Sequence, residues 1–140
     1  MRFIRRLWAL NFGAMADVAE PVAAAMFPKP EHKTLRRAAV ERILSNPQDI
    51  YKSILRGVVS YNAQPHLHRV KCPTLIVAGD RDLTISLALK QDLHRRLPHS
   101  ELVVVPDSGH ATPIDQHEKF NEILLSFLER VSAKEQVRVN

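Results

Sequence analysis

The sequence predicts an α/β chain in which a helical segment precedes a βαβα unit with two parallel strands. Three observations predict it. Two short apolar runs, Thr74–Ala78 and Leu102–Val105, are uninterrupted and rich in β-branched residues (TLIVA and LVVV). Strands buried on both faces of a parallel sheet read like this, whereas half-exposed strands alternate. Between the runs, from roughly Ser86 to Leu97, Leu89, Leu93 and Leu97 recur four apart on one helical face. After the second run, Phe120, Ile123, Leu124, Phe127, Leu128 and Val131 form the stripe of a last amphipathic helix.

The residues up to Cys72 are expected to be wholly helical. Arg2, Arg5 and Arg6, followed by Leu7 to Ala16, faintly resemble a signal or transit peptide. Asn11 and Gly13 interrupt that stretch, and it is too short to span a bilayer. The favoured reading is a helix of the helical segment, with Met1 an internal methionine of a longer protein. Leu35, Ala38, Ala39, Ile43 and Leu44 form one stripe. A further helix is expected to open with Asn46 as cap and Pro47 at its first position, with an apolar face through Ile50, Ile54, Val58 and Tyr61. Trp8, Phe12, Met15, Met26 and Phe27 are candidates for lining a hydrophobic pocket, against the simpler reading that they pack the helices together. Pro73 and Pro98 suit strand starts, where a missing amide hydrogen is tolerated.

A strand, a helix and a strand within about 30 residues make a right-handed βαβ unit with parallel strands. Residues just past the carboxyl ends of such strands share one edge of the sheet, where open α/β folds place their sites. Asp82 lies four residues after Ala78, and His110 five after Val105. On neighbouring strands about 4.8 Å apart, the two side chains are expected to meet. A carboxylate that accepts from one imidazole nitrogen fixes the tautomer and leaves the other nitrogen to take a proton.

The segments KCPTLIVAGDRD and PDSGHATPIDQHEKFNEILLSFL resemble the carboxyl-terminal end of the α/β-hydrolase fold. In that family a Pro-Thr-Leu strand leads to Gly-x-x-Asp, here Gly79-Asp80-Arg81-Asp82, and the last residue is the triad acid. A Ser/Gly-Gly-His turn, here Ser108-Gly109-His110, follows the final strand and carries the triad base. An acidic residue, here Asp115, and an amphipathic helix come next. The resemblance covers Leu67 to Val131 closely and implies a partial α/β-hydrolase fold. Residues 1–66 would be a helical cap-like segment, 67–131 the carboxyl-terminal βαβα part of the core, and 132–140 a polar tail. It further implies Asp82 as acid and His110 as base in the hydrolysis of an ester, lactone or similar carbonyl substrate, with no metal and no organic cofactor. Asp80 is expected to be structural or to face solvent.

The family's nucleophile sits in a Gly-x-Ser-x-Gly elbow. Gly13, Gly57, Gly79 and Gly109 are the glycines of this chain, and no pair brackets a serine at that spacing. Ser108 is expected to shape the histidine turn, Ser60 ends a helical run, and Cys72 starts a strand far from its exit. The expectation is therefore a carboxyl-terminal part of a larger hydrolase that supplies acid and base, lacks the nucleophile and is inactive alone. The rival is a non-catalytic binding or regulatory remnant that docks onto another hydrolase-like chain. An exposed strand edge would serve a complementing chain or a second copy.

With 45% hydrophobic and 25% charged residues the composition is globular. Charge is lopsided, +7 up to Cys72 and −2 from Pro73 onward. Arg36, Arg37, Lys52 and Arg56 fall on polar helix faces, and no nucleic-acid module accompanies them, so solvated surface is the reading. A small, apolar substrate is expected. His66-x-His68 and the lone Cys72 do not reproduce a zinc-ligand pattern, and an unpaired cysteine fits a reducing cytoplasm.

Overall fold

The computed structural model describes residues 14–139, which fall into two compact units meeting in sequence between Ala63 and Gln64. Trp8, Phe12 and the arginine-led segment up to Gly13 lie outside the described residues.

The first unit is helical: α1 (Ala16–Met26), a 3-10 turn (Pro30–His32), α2 (Lys33–Leu44) and α3 (Gln48–Ser60). Asp17 stands in the first turn of α1, where a carboxylate suits the positive end of the helix dipole, and it accepts from the Ala14 amide at 2.8 Å. Val18 and Val22 of α1 and Leu55 of α3 form the core, with Met15, Met26, Ile43 and Tyr51 packed against them. Phe27 is buried too, its ring edge-on to His32 with centroids 6.0 Å apart. Met15, Met26 and Phe27, candidates for lining a pocket, thus pack within this unit. Arg36 closes the α1–α2 turn by donating to the carbonyls of Phe27 and Lys29, both at 2.6 Å.

Two local expectations need correction. Asn46 does not cap α3. Its side-chain amide donates back to the carbonyls of Arg42 (2.7 Å) and Ile43 (3.2 Å), satisfying the end of α2, and Pro47 takes the cap position of α3. The Ile50, Ile54, Val58 and Tyr61 face of α3 is not buried, with side chains 51%, 62%, 56% and 77% exposed. The inward face is the one bearing Tyr51 and Leu55, because those meet the valines of α1.

The second unit opens with a 3-10 turn (Gln64–Arg69). It continues as β1 (Thr74–Gly79), α4 (Leu87–Arg96), β2 (Ser100–Val105), the short α5 (Thr112–Asp115) and the long α6 (His117–Val139). The strands pair in parallel from Thr74↔Ser100 to Gly79↔Val105. β2 starts two residues before the apolar run because Ser100 and Glu101 pair with Thr74 and Leu75. The strand connection is the expected helix. Ser86 caps α4, accepting from the Leu89 amide at 3.4 Å, and Leu97 closes it. α4 and α6 both pack on both strands, burying Ile76, Ala78, Leu97, Val105 and Phe127. α6 runs on through residues 132–139, set apart above as a polar tail, where Ala133, Lys134 and Gln136 favour helix. Among the described residues no helix is long and apolar enough to cross a membrane.

Candidate functional site

β1 ends at Gly79 and β2 at Val105, side by side, so the two following loops leave from one edge of the sheet. Three bonds lace the loops together. Asp80 N–H donates to the Val105 carbonyl (3.1 Å), Arg81 N–H to the Ser108 carbonyl (2.9 Å), and Ser108 N–H to Asp80 Oδ1 (3.2 Å). Asp80 is thus a structural acceptor between the loops. Asp107, at the tip of the second loop, has a left-handed φ of 57°. Gln116 donates to its carbonyl at 3.0 Å, and Arg81 pairs with its carboxylate at 3.0 Å.

The laced loops bring Asp82 and His110 together, with His110 Nδ1 2.9 Å from Asp82 Oδ2. The Asp82 side chain is 2% exposed and that of His110 35%. Asp82 Oδ1 accepts from the Thr84 (2.7 Å) and Ile85 (3.0 Å) amides, and Oδ2 also meets Lys90 Nζ at 2.6 Å. Burial raises the Asp82 pKa, but the bonds from Lys90, His110 and the Ile85 and Thr84 amides outweigh it and lower the carboxyl from 3.8 to about 2.

A folded-state pKa below the unfolded value stabilises the fold above the unfolded value. That stability is lost as pH falls through the folded one. The Asp82 contribution should therefore be complete above pH 4 and fade between 3.8 and about 2. After allowance for solvent screening it should amount to about 1–2 kcal/mol. Urea denaturation of the chain and of Asp82→Asn across that range checks it. The variant should lack this part of the acid destabilisation, and equal pH dependence in both would contradict it.

The turn that carries His110 is anchored from behind. Ser108 is fully buried, its hydroxyl lying between Asp115 Oδ1 (2.8 Å) and Thr112 Oγ1 (2.9 Å), and Gly109 N–H donates to Asp115 Oδ2 at 2.5 Å. Asp115 at the end of α5 therefore fixes the two residues before the histidine. Gly79 is required by close approach. A Cβ there would press on the carbonyl oxygens of Ser108 and Gly109 and lie 2.7 Å from the Ser108 carbonyl carbon.

Ser108 is committed to that anchor, Ser86 to the α4 cap, and the Ser100 hydroxyl to the start of β2, where it pairs with His94 Nδ1 at 2.8 Å. Cys72 is exposed and precedes β1. Among the described residues no serine or cysteine side chain hydrogen-bonds to His110. Sequence reasoning missed Lys90. A signal for it exists in the inward face of α4, which passes through the partly buried Lys90 and Leu93 to the buried Leu97, while Leu89 is 58% exposed. A lysine spaced i, i+3, i+7 with inward-facing leucines must either carry its ammonium out to water or meet a counter-charge.

A sequence model of the TAP-like protein family of α/β-hydrolases matches residues 57–139, more than half of the chain. The chain belongs to the α/β-hydrolase superfamily. Its fold agrees. The esterase EaEST from Exiguobacterium antarcticum superposes with a TM-score of 0.83 at 18% identity, covering 91% of this chain and 47% of that one. The enol-lactonase from Burkholderia xenovorans LB400 gives the same TM-score and identity, covering 91% and 50%. At that identity the likeness shows the fold alone. In sequence, the protein named "Putative carbamate hydrolase RutD" from Escherichia coli (strain K12 / DH10B) is 38% identical over 63 residues, 45% of this chain and 24% of the relative. The match thus spans about a quarter of that curated relative and about half of these α/β-hydrolase structures.

Proposed function

We propose that this chain supplies the acid and base of an α/β-hydrolase that cleaves a small, apolar ester, lactone or similar carbonyl substrate by a serine-type mechanism. The 2.9 Å contact between Asp82 and His110 at the ends of adjacent parallel strands carries the reading. With Nδ1–H donating to the carboxylate, Nε2 is the proton acceptor. His110 takes the proton of a serine as its oxygen attacks the carbonyl carbon, then returns it to the leaving group. Asp82 holds the imidazole in orientation and stabilises its charged form. Relatives named for esters, an enol-lactone and a carbamate support a carbonyl substrate. The serine comes from residues outside this sequence, in the same polypeptide or in a complementing chain.

The test is turnover of p-nitrophenyl acetate by the purified chain and by His110→Ala. Equal, near-background rates are expected. Turnover abolished both by His110→Ala and by one serine or cysteine substitution would place the nucleophile inside this chain and overturn the reading.

A further inference from the structure

An Asp–His pair needs a carboxylate and an imidazole, but this one has a third member. Lys90 Nζ lies 2.6 Å from Asp82 Oδ2, the same oxygen that His110 Nδ1 meets at 2.9 Å. The ammonium and the imidazole are therefore no farther apart than two hydrogen-bond lengths. The Lys90 side chain is 14% exposed, so its charge is poorly screened, and its placement costs both side-chain entropy and hydration. Oδ1 is already taken by the Thr84 and Ile85 amides, so lysine and histidine share one oxygen.

Several other charged groups of the two loops and of α6 have partners of their own. Arg81 pairs with Asp107, Asp80 accepts from the Ser108 amide, and Asp115 holds Ser108 and Gly109. On α6, Lys119 pairs with Glu122 at 2.7 Å. Lys90 is thus the ammonium that acts directly on the carboxylate. A carboxylate beside an imidazole favours its protonated form, and a cation on the same oxygen opposes that.

We propose that Lys90 is a positioning residue that, through the shared Oδ2, weakens the pull of Asp82 on a protonated His110. The histidine then remains a proton acceptor into more acidic solution than the same pair without the lysine. The functional consequence rests on the reading of His110 as a base, but the coupling itself does not.

The experiment is an NMR titration of the His110 ring in the purified chain, in Lys90→Met and in Lys90→Arg. In Lys90→Met the His110 midpoint should move up by about one pH unit, while Lys90→Arg, which keeps the charge, should move it by about 0.3 or less. An unchanged or lowered midpoint in Lys90→Met, or an equal shift in both variants, overturns the proposal. If Lys90→Met does not fold, the unaltered chain still decides. Its Lys90 Cε and Nζ resonances should shift at the His110 midpoint, and resonances that stay still overturn the idea. No substrate or nucleophile enters the measurement, so its failure is distinct from failure of the hydrolase reading, which the ester assay reports.

Discussion

In any assembly of this chain that hydrolyses an activated ester, His110→Ala should lower kcat by about 10⁶, the scale seen when a serine enzyme loses its base. Removing the imidazole leaves the serine proton without an acceptor and the leaving group without a donor. Asp82→Asn should cost about 10⁴, because the ring survives but the amide cannot hold the same tautomer or balance the imidazolium. It also strands Lys90, whose ammonium sits 2.6 Å from the carboxylate. Steady-state rates at saturating substrate, with KM measured alongside, read both effects. If His110→Ala lost less than about tenfold, another group would be the base and the assignment would fall.

Gly79→Ala should have the largest effect on the fold of the second unit. The added methyl would press on the carbonyl oxygens of Ser108 and Gly109. Those are backbone atoms, so no rotamer relieves the overlap, and the loop must move as a whole. Overpacking of this kind costs about 1–3 kcal/mol and occasionally more. We expect about 3 kcal/mol, since Ser108 and Gly109 are also held by Asp115 and Asp80. A lowered urea midpoint would show the cost, and loss of the Asp82–His110 bond the displacement. An unchanged midpoint would mean that the two loops do not touch at Gly79.

Gly57→Ala is a useful contrast. Nothing lies within 4 Å of where its Cβ would sit. Alanine there removes a helix-weakening glycine from α3, so the same denaturation experiment should show about 0.5–1 kcal/mol of added stability. The two glycines separate close approach from mere flexibility.

The strands were the most legible part of this sequence. TLIVA and LVVV are β-branched runs with no helical alternative of that length, and both became strands in a parallel pair. Ser100 and Glu101 gave no propensity signal, and only pairing with β1 draws them into β2. The α4 helix was legible to within a residue because Ser86 is a good cap and Leu97 precedes a proline. The face of α3 was misread for a different reason. Periodicity finds an apolar stripe, but only the neighbour decides which stripe is used, and α1 meets Tyr51 and Leu55. At the site, the spacing of Asp82 and His110 from their strands pointed to their meeting. Lys90 stayed hidden because an ion pair eight residues along the chain depends on how α4 lies on the sheet. Asn46 was ambiguous in principle, since its amide serves the end of one helix as readily as the start of the next.

The shared final rung, Gly79 beside Val105, gives the sheet the job of a ruler. Had either strand slipped by one residue, its side chains would swap faces and its exit would move about 3.3 Å along the strand axis. That step exceeds the length of the bond between carboxylate and ring. Single-residue insertions or deletions inside TLIVAG or SELVVV should therefore be far more damaging than similar changes in the α4 surface. The spacing of this carboxylate and imidazole is metered first by the strands, and the laced loops complete it.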